Sequence, residues 1–331
     1  MRRRCRYSSK PKLSAALAAL LLVLGISVTS AQEPTESLLR RIKMATVSVP
    51  NIPQWTALYT EWLDYTVVEQ GDVSVALAAS WGAPGSAGQP YAVMAPASGT
   101  DVYIRAVEGD PVPGYRAMTT FGWNSIEIII DDVDALYERL KASPFEIIGT
   151  PHSLGGGFAS IHAMQVLGPG QEVLYLTCET GDRENSTLPI PGSFVDRPFI
   201  MILAGPDLDA MADFYVQKFG MMQIPNFSGS IAMIARAMGI PEDHVFPLGL
   251  LRGRERGNNI ELDGYPDKAT PRPRVNEQLP PGVAMTSFSV DDLDALDVDF
   301  ISAPARLYGD KRAATFVGPA GELTELIEDP R

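Results

Sequence analysis

The chain has 331 residues, 45% of them hydrophobic and 20% charged, with a formal net charge of −13. At roughly 150 residues per domain that is an ordinary globular composition with room for two domains, and collagen-like or disordered chains are excluded. The acidic balance argues against nucleic acid and anionic membrane surfaces as partners.

Residues 1–31 read as a secretory signal. Arg2, Arg3, Arg4, Arg6, Lys10 and Lys12 form a basic stretch, Leu13 to Val28 is apolar, and Thr29-Ser30-Ala31 offers a small-residue cleavage site. The apolar run is shorter than the roughly 20 residues that span a bilayer. Cleavage would remove six of the 27 basic residues and none of the 40 acidic ones. The expected location is periplasmic or secreted, with no membrane association after cleavage. Cys5 would leave with the signal, so Cys178 would have no disulfide partner in the chain and reads as a small buried hydrophobe.

Residues 32–180 form the first predicted module. Its opening strand is Lys43 to Val49, followed by a helix over Gln54 to Tyr65 that Pro50-Asn51-Ile52-Pro53 introduces. Further strands end at Asp101 to Val107. A second unit follows: strand Ser125 to Ile130, helix Val133 to Lys141 capped by Asp131-Asp132, and strands at 146–148, 161–166 and 172–178. Polar, Pro-containing residues 181–196 read as a linker. Residues 197–331 are the second module. It has a strand at Phe199 to Ala204, a helix over Asp209 to Phe219, a strand at Ile260 to Leu262, a strand over Val283 to Val290, a helix over Asp291 to Phe300, and closing strands at 314–317 and 323–327. Two apolar segments, Val73 to Trp81 and Ser230 to Met238, read as short helices lining a hydrophobic entrance.

The two modules repeat one another. Ile130-Asp131-Asp132-Val133-Asp134-Ala135-Leu136 returns as Val290-Asp291-Asp292-Leu293-Asp294-Ala295-Leu296. Gly168-Pro169-Gly170-Gln171-Glu172 returns as Gly318-Pro319-Ala320-Gly321-Glu322. Such fixed-period similarity means repeated structural units, here four of βαβββ order. This ordered repetition, over about residues 41–329, resembles the vicinal oxygen chelate superfamily, which includes glyoxalase I, extradiol dioxygenases and bleomycin-resistance proteins. The resemblance implies an α+β fold of two tandem modules, each a pair of βαβββ units forming an open β-cup. It also implies metal ligands on the first and last strands of each unit. Those positions fall at Met44, Ser125, Ile200 and Met285, and at Tyr103, Leu174, Glu261 and Glu325. None is histidine, and none of His152, His162 and His244 falls on one. Glu261 and Glu325 remain as metal candidates facing one another across a cup, with Arg272 and Arg274 as neighbours that would neutralise Glu261. The cofactor expectation is therefore none, or a divalent metal held without the usual histidines.

Strand alternation places Glu127 with Ser125, and Arg105 with Tyr103. Glu127 and Arg105 form the expected catalytic pair, a general base with an orienting cation. Ser125, Gln165, Tyr103, Tyr265 and Met44 are expected to contact substrate. The functional expectation is an exported lyase or isomerase acting on a small apolar carbonyl or oxygenated compound by carboxylate acid–base chemistry. A binding protein that sequesters such a molecule, and a metal-dependent dioxygenase or glyoxalase with unusual ligands, are the competing readings. The partner is a small molecule, and the protein is expected as a monomer or homodimer.

Overall fold

The computed structural model describes residues 36–329, so the signal expected at 1–31 lies outside the described residues. The first unit contains β1 (Ile42–Val49), α1 (Ile52–Leu63), β2 (Thr66–Asp72), α2 (Val75–Ser80), β3 (Pro90–Ala95) and β4 (Tyr103–Glu108). The second contains β5 (Gly122–Ile130), α3 (Val133–Leu140), β6 (Glu146–Ser153), β7 (Ile161–Leu167) and β8 (Val173–Glu179). The third contains β9 (Val195–Gly205), α4 (Leu208–Phe219), β10 (Met222–Ser230), α5 (Ala232–Met238), β11 (Val245–Arg252) and β12 (Asn259–Gly264). The fourth contains β13 (Gly282–Val290), β14 (Ala305–Tyr308), β15 (Lys311–Val317) and β16 (Leu323–Glu328).

The long helices start where short polar side chains can accept backbone N–H groups. Asn51 accepts from Gln54 at 2.8 Å, Asp132 from Asp134 and Ala135 at 3.0 Å, and Asp207 from Ala210 at 3.0 Å. The fourth unit departs from expectation, because residues 291–300 form turns rather than a helix. Asp291, Asp294 and Asp297 stand three apart there, so a helix would stack like charges on residues of low helix propensity. Asp292 still caps the Asp294 N–H at 2.9 Å, but the turn does not propagate.

The α+β fold class and the eight-stranded curled sheets are as expected. Within each unit the first strand lies parallel to the last, as in β1 with β4 and β13 with β16. The joins between units do not follow chain order. β1 pairs antiparallel with β13, giving the sheet order β14-β15-β16-β13-β1-β4-β3-β2. β5 pairs antiparallel with β9, giving β10-β11-β12-β9-β5-β8-β7-β6. The first and fourth units therefore make one cup, here the terminal cup, and the second and third make the other, the central cup.

One apolar core joins the helix-facing sides of both sheets to α1, α3 and α4 and includes Trp55, Tyr59, Trp123, Phe219, Phe288 and Phe316. The repeated Gly-Pro turns send a glutamate into it. Glu172, just before β8, accepts from Trp55 Nε1 on α1 at 2.8 Å and from the Tyr59 hydroxyl at 3.1 Å. Glu322, just before β16, accepts from the Tyr215 hydroxyl on α4 at 2.9 Å. Each glutamate reaches a helix from a unit of the other sheet, so the motif latches the cups together. Its glycine follows from geometry. A Cβ on Gly168 or Gly318 would sit 2.1 Å or 1.9 Å from the glutamate oxygen folded over it. Burial pushes both glutamates up to about 7, although their hydrogen bonds pull the other way.

Candidate functional site

The hollow of the terminal cup follows from strand alternation. Thr46 on β1 lies level with Arg105 on β4, and Ser287 on β13 lies level with Glu325 on β16. Arg105 and Glu325 are 1% and 0% exposed, a depth at which a charge needs both a counter-charge and hydrogen bonds. The arginine has them. Nε and Nη2 donate to Thr46 Oγ1 at 3.1 and 2.9 Å, Nη2 donates to Glu325 Oε2 at 3.3 Å, and Nη1 donates to the Tyr308 hydroxyl. Its planar head also lies 4.5 Å from the centre of the Trp81 ring.

Glu325 is equally engaged. Oε1 accepts from Trp81 Nε1 at 2.8 Å and from the Tyr308 hydroxyl at 2.7 Å, while Oε2 accepts from Ser287 Oγ at 2.6 Å besides Arg105. Burial pulls the arginine down, but Tyr308 and Glu325 beside it outweigh this and hold it above its ordinary range. Burial, with Glu325 adding to it, puts the Tyr308 hydroxyl well above the usual range against the opposing pull of Arg105.

Above this floor opens a cavity of about 520 Å³. Met44, Leu77, Val93, Leu307 and Ile327 give it apolar walls, and Tyr91, Tyr103 and Tyr308 bring hydroxyls. Charges at its mouth are largely matched: Lys43 bridges Asp101 and Asp329, and Lys311 pairs with Asp329 at 2.8 Å. Tyr91 donates to Glu69 and is pushed up to about 12, by burial first and by Glu69 next.

The central cup has the same frame and a filled interior. Ile200 and Ile202 of β9, Leu248 and Leu250 of β11, and Tyr175 and Tyr265 pack there, with α5 laid over them. The segments 73–81 and 230–238, both expected at an entrance, thus diverge. α2 leaves a cavity beside Leu77, whereas α5 buries Met233, Ile234 and Met238 in the core.

Two comparison structures superpose on most of the chain. Glyoxalase I from Zea mays is 18% identical with a TM-score of 0.59, over 87% of this chain and 92% of the maize chain. A Bacillus subtilis protein described as a candidate dioxygenase is 14% identical with a TM-score of 0.58, over 89% of this chain and 86% of that one. The chain has the vicinal oxygen chelate fold. No protein-family model matches it, and no curated protein sequence does.

On a vicinal oxygen chelate frame, the residues expected at the site separate into two groups. Met44, Tyr103 and Arg105 line the terminal cavity. Glu127 does not join Arg105: β4 and β5 belong to different sheets, and Glu127 lies buried in the central cup, accepting from Thr177 Oγ1 at 2.6 Å. Equal strand parity fixed the faces of these residues but not the cup to which each face belongs. Ser125, Gln165 and Tyr265 are central too, away from the cavity. Tyr265 accepts from the Asn124 amide, and both amide atoms of Gln165 lack a hydrogen-bond partner.

Glu261 and Glu325 do not face one another, because β12 and β16 are in opposite sheets. Nor do the arginines neutralise Glu261. Arg272 donates to Thr120 and to the Pro281 and Val283 carbonyls, and Arg274 to the carbonyls of Gln278 and Gly82. The terminal cup does not fit a metal ion. Both oxygens of Glu325 are occupied by donors, a guanidinium supplies the positive charge, and the nearby first-strand positions are Met44 and Met285. Among the described residues no group of three or more His, Cys, Asp or Glu is placed to hold a metal. His152 and His162 lie on β6 and β7 at the edge of the central sheet, and His244 precedes β11.

Sequence reasoning missed Thr46, Ser287, Trp81 and Tyr308 as floor residues. Thr46 and Ser287 were accessible from strand parity with Met44 and Met285. Trp81 and Tyr308 required knowing that the first unit meets the fourth.

Proposed function

We propose that the protein binds a small, mostly apolar, uncharged molecule through a carbonyl or similar acceptor oxygen, held at Arg105 in the terminal cup. The observation carrying this reading is the cavity floor. Four of the five guanidinium N–H groups are used by Thr46, Tyr308 and Glu325, which leaves one donor on Nη1. The positive charge is already balanced by Glu325. A second full negative charge would be desolvated there with little Coulombic return, whereas a neutral acceptor oxygen gains a charge-assisted hydrogen bond. The apolar walls and the volume suit a small organic molecule. One chain carries both units of this cup, so no second copy is needed to complete it.

This binding reading goes further than a lyase or isomerase using carboxylate acid–base chemistry. Burial pushes up Glu127, Glu261 and Asp263 in the filled cup and Glu172 and Glu322 in the core between the sheets, none of which lines the cavity, and Glu325 in the open cup accepts hydrogen bonds on both oxygens. We also propose that the protein acts outside the cytoplasm after losing residues 1–31; an exported form whose measured mass begins at Gln32 supports this, and an intact N-terminus speaks against it.

The ligand reading is tested by calorimetric titration with two probes of like shape, acetophenone and benzoate. The ketone is expected to bind one per chain and the carboxylate about tenfold or more weaker. Val93→Trp, which projects an indole ring into the cavity beside Arg105, weakens ketone binding about tenfold or more if the site is correct. Tighter binding of benzoate, or a ketone signal unchanged in the variant, would overturn the assignment.

A further inference from the structure

The central cup holds three carboxylic acids that the binding site does not use. Glu127 on β5 and Glu261 and Asp263 on β12 are 6%, 2% and 1% exposed on its inner side. Glu127 has a single hydrogen bond, from Thr177. One oxygen of Glu261 and both oxygens of Asp263 have no donor at all. The three are close enough that Asp263 and Glu127 both act on Glu261.

No ion pair involves any of the three among the described residues, and the groups facing them explain why. β9 presents Ile200 and Ile202, and β11 presents Leu248 and Leu250. β8 presents the Tyr175 hydroxyl with Thr177, and Tyr265 follows β12. β7 contributes the uncharged Gln165 amide, and β5 contributes Ser125 and Asn124. Of the cations near the cup, Arg272 is held by Thr120 and two carbonyls and Arg236 on α5 pairs with Glu242, while Arg252 closes β11 on the parity of Leu248 and Leu250, lowered by burial and in no ion pair with the three acids among the described residues. Three charges cannot remain together in such a space; the carboxyls must keep protons or the packing must admit water.

We propose that the central cup is a proton-dependent element, closed while Glu127, Glu261 and Asp263 hold protons and loosened when they ionise. Burial raises all three groups, Glu127 and Asp263 to about 7, so loosening begins near neutrality. The terminal cup supplies an internal reference, because its buried Glu325 is paired with a guanidinium rather than with other carboxyls.

Hydrogen exchange of the full chain at pH 5.5 and 8.5, corrected for the intrinsic pH dependence of exchange, tests the proposal. Amides of β5 and β12 are expected to exchange about tenfold or more faster at the higher pH, with β1 and β4 of the terminal cup changing much less. A variant combining Glu127→Gln, Glu261→Gln and Asp263→Asn should lose that difference. Should it fail to fold, Glu261→Gln alone should reduce the difference. Equal corrected exchange at both pH values, equal loosening of both cups, or a pH difference unaltered by Glu261→Gln would each overturn the proposal.

Discussion

The two cups share a strand plan and differ in how they bury charge. On the last strand of the fourth unit, Glu325 receives hydrogen bonds from Trp81, Tyr308, Ser287 and Arg105. On the last strand of the third, Glu261 has an unpartnered oxygen and two carboxyl neighbours. One cup solves desolvation by pairing and can keep an open cavity over a charged floor. The other solves it by protonation and fills its interior with side chains. A shared backbone therefore says little about the chemistry of either hollow; the side chains aimed inward decide it.

The largest expected effect breaks the comparison with protons. Glu127, Asp263, Glu172 and Glu322 are all pushed up to about 7 by burial, against about 4 in an unfolded chain. A carboxyl raised on folding contributes stability that is complete below its unfolded value and lost as pH rises through its folded value. Unfolding free energy should thus fall between about pH 4 and pH 7, on the order of 3 kcal/mol for each such group. Urea melts at pH 5 and pH 8 measure this; a protein equally stable at both would contradict the burial of these acids. Asp329, held down to about 2 by Lys311 and Lys43 despite its burial, acts oppositely only below that window.

Pairing is broken next. Arg105→Ala leaves Glu325 buried without its counter-charge, and about 3–5 kcal/mol of stability should be lost at pH 7 in urea denaturation. Adding Glu325→Gln should recover part of that loss, since the stranded charge goes with it. A smaller effect tests the latches between the cups. Glu172→Ala strands the Trp55 and Tyr59 donors in the core and should cost about 1–3 kcal/mol. Glu322→Ala, which strands the Tyr215 hydroxyl, should fall at the low end of that range.

Much of this architecture is legible in the sequence, because it is written locally. Asp132 and Asp207 announce their helices, and the Gly-Pro turns with Glu172 and Glu322 count the units. Alternation puts Tyr103 and Arg105 on one face, and Ser125 and Glu127 on another. What is not local is the partner of each unit. The ladder joining β1 to β13 brings Ala45 against Thr286 across most of the chain, and no periodicity encodes that choice. Pairing units in chain order puts Arg105 beside Glu127; the actual ladder puts it beside Glu325. The expected helix over 291–300 fails for another reason: the Asp-Asp turn was repeated, but the aspartates after it removed the propensity that carries α3 onward.

The smallest expected effect sharpens the contrast between open and filled. Val93 lies beside Arg105 in the ladder and lines the terminal cavity, so Val93→Trp can place its added ring in existing space. Its effect on stability should stay within about 1 kcal/mol, because no packed neighbour must move. The same insertion at Ile200 meets Tyr175, Leu248 and the other side chains of the filled cup and should cost about 1–3 kcal/mol or more. Chemical denaturation of both variants at pH 5.5, where the central carboxyls hold their protons, removes ionisation from the comparison. If the two cost the same, the cavity is not a real difference between the cups. If Val93→Trp is tolerated and Ile200→Trp is not, the hollow above Arg105 is space the fold does not need for its own stability, as a site kept for a ligand should be.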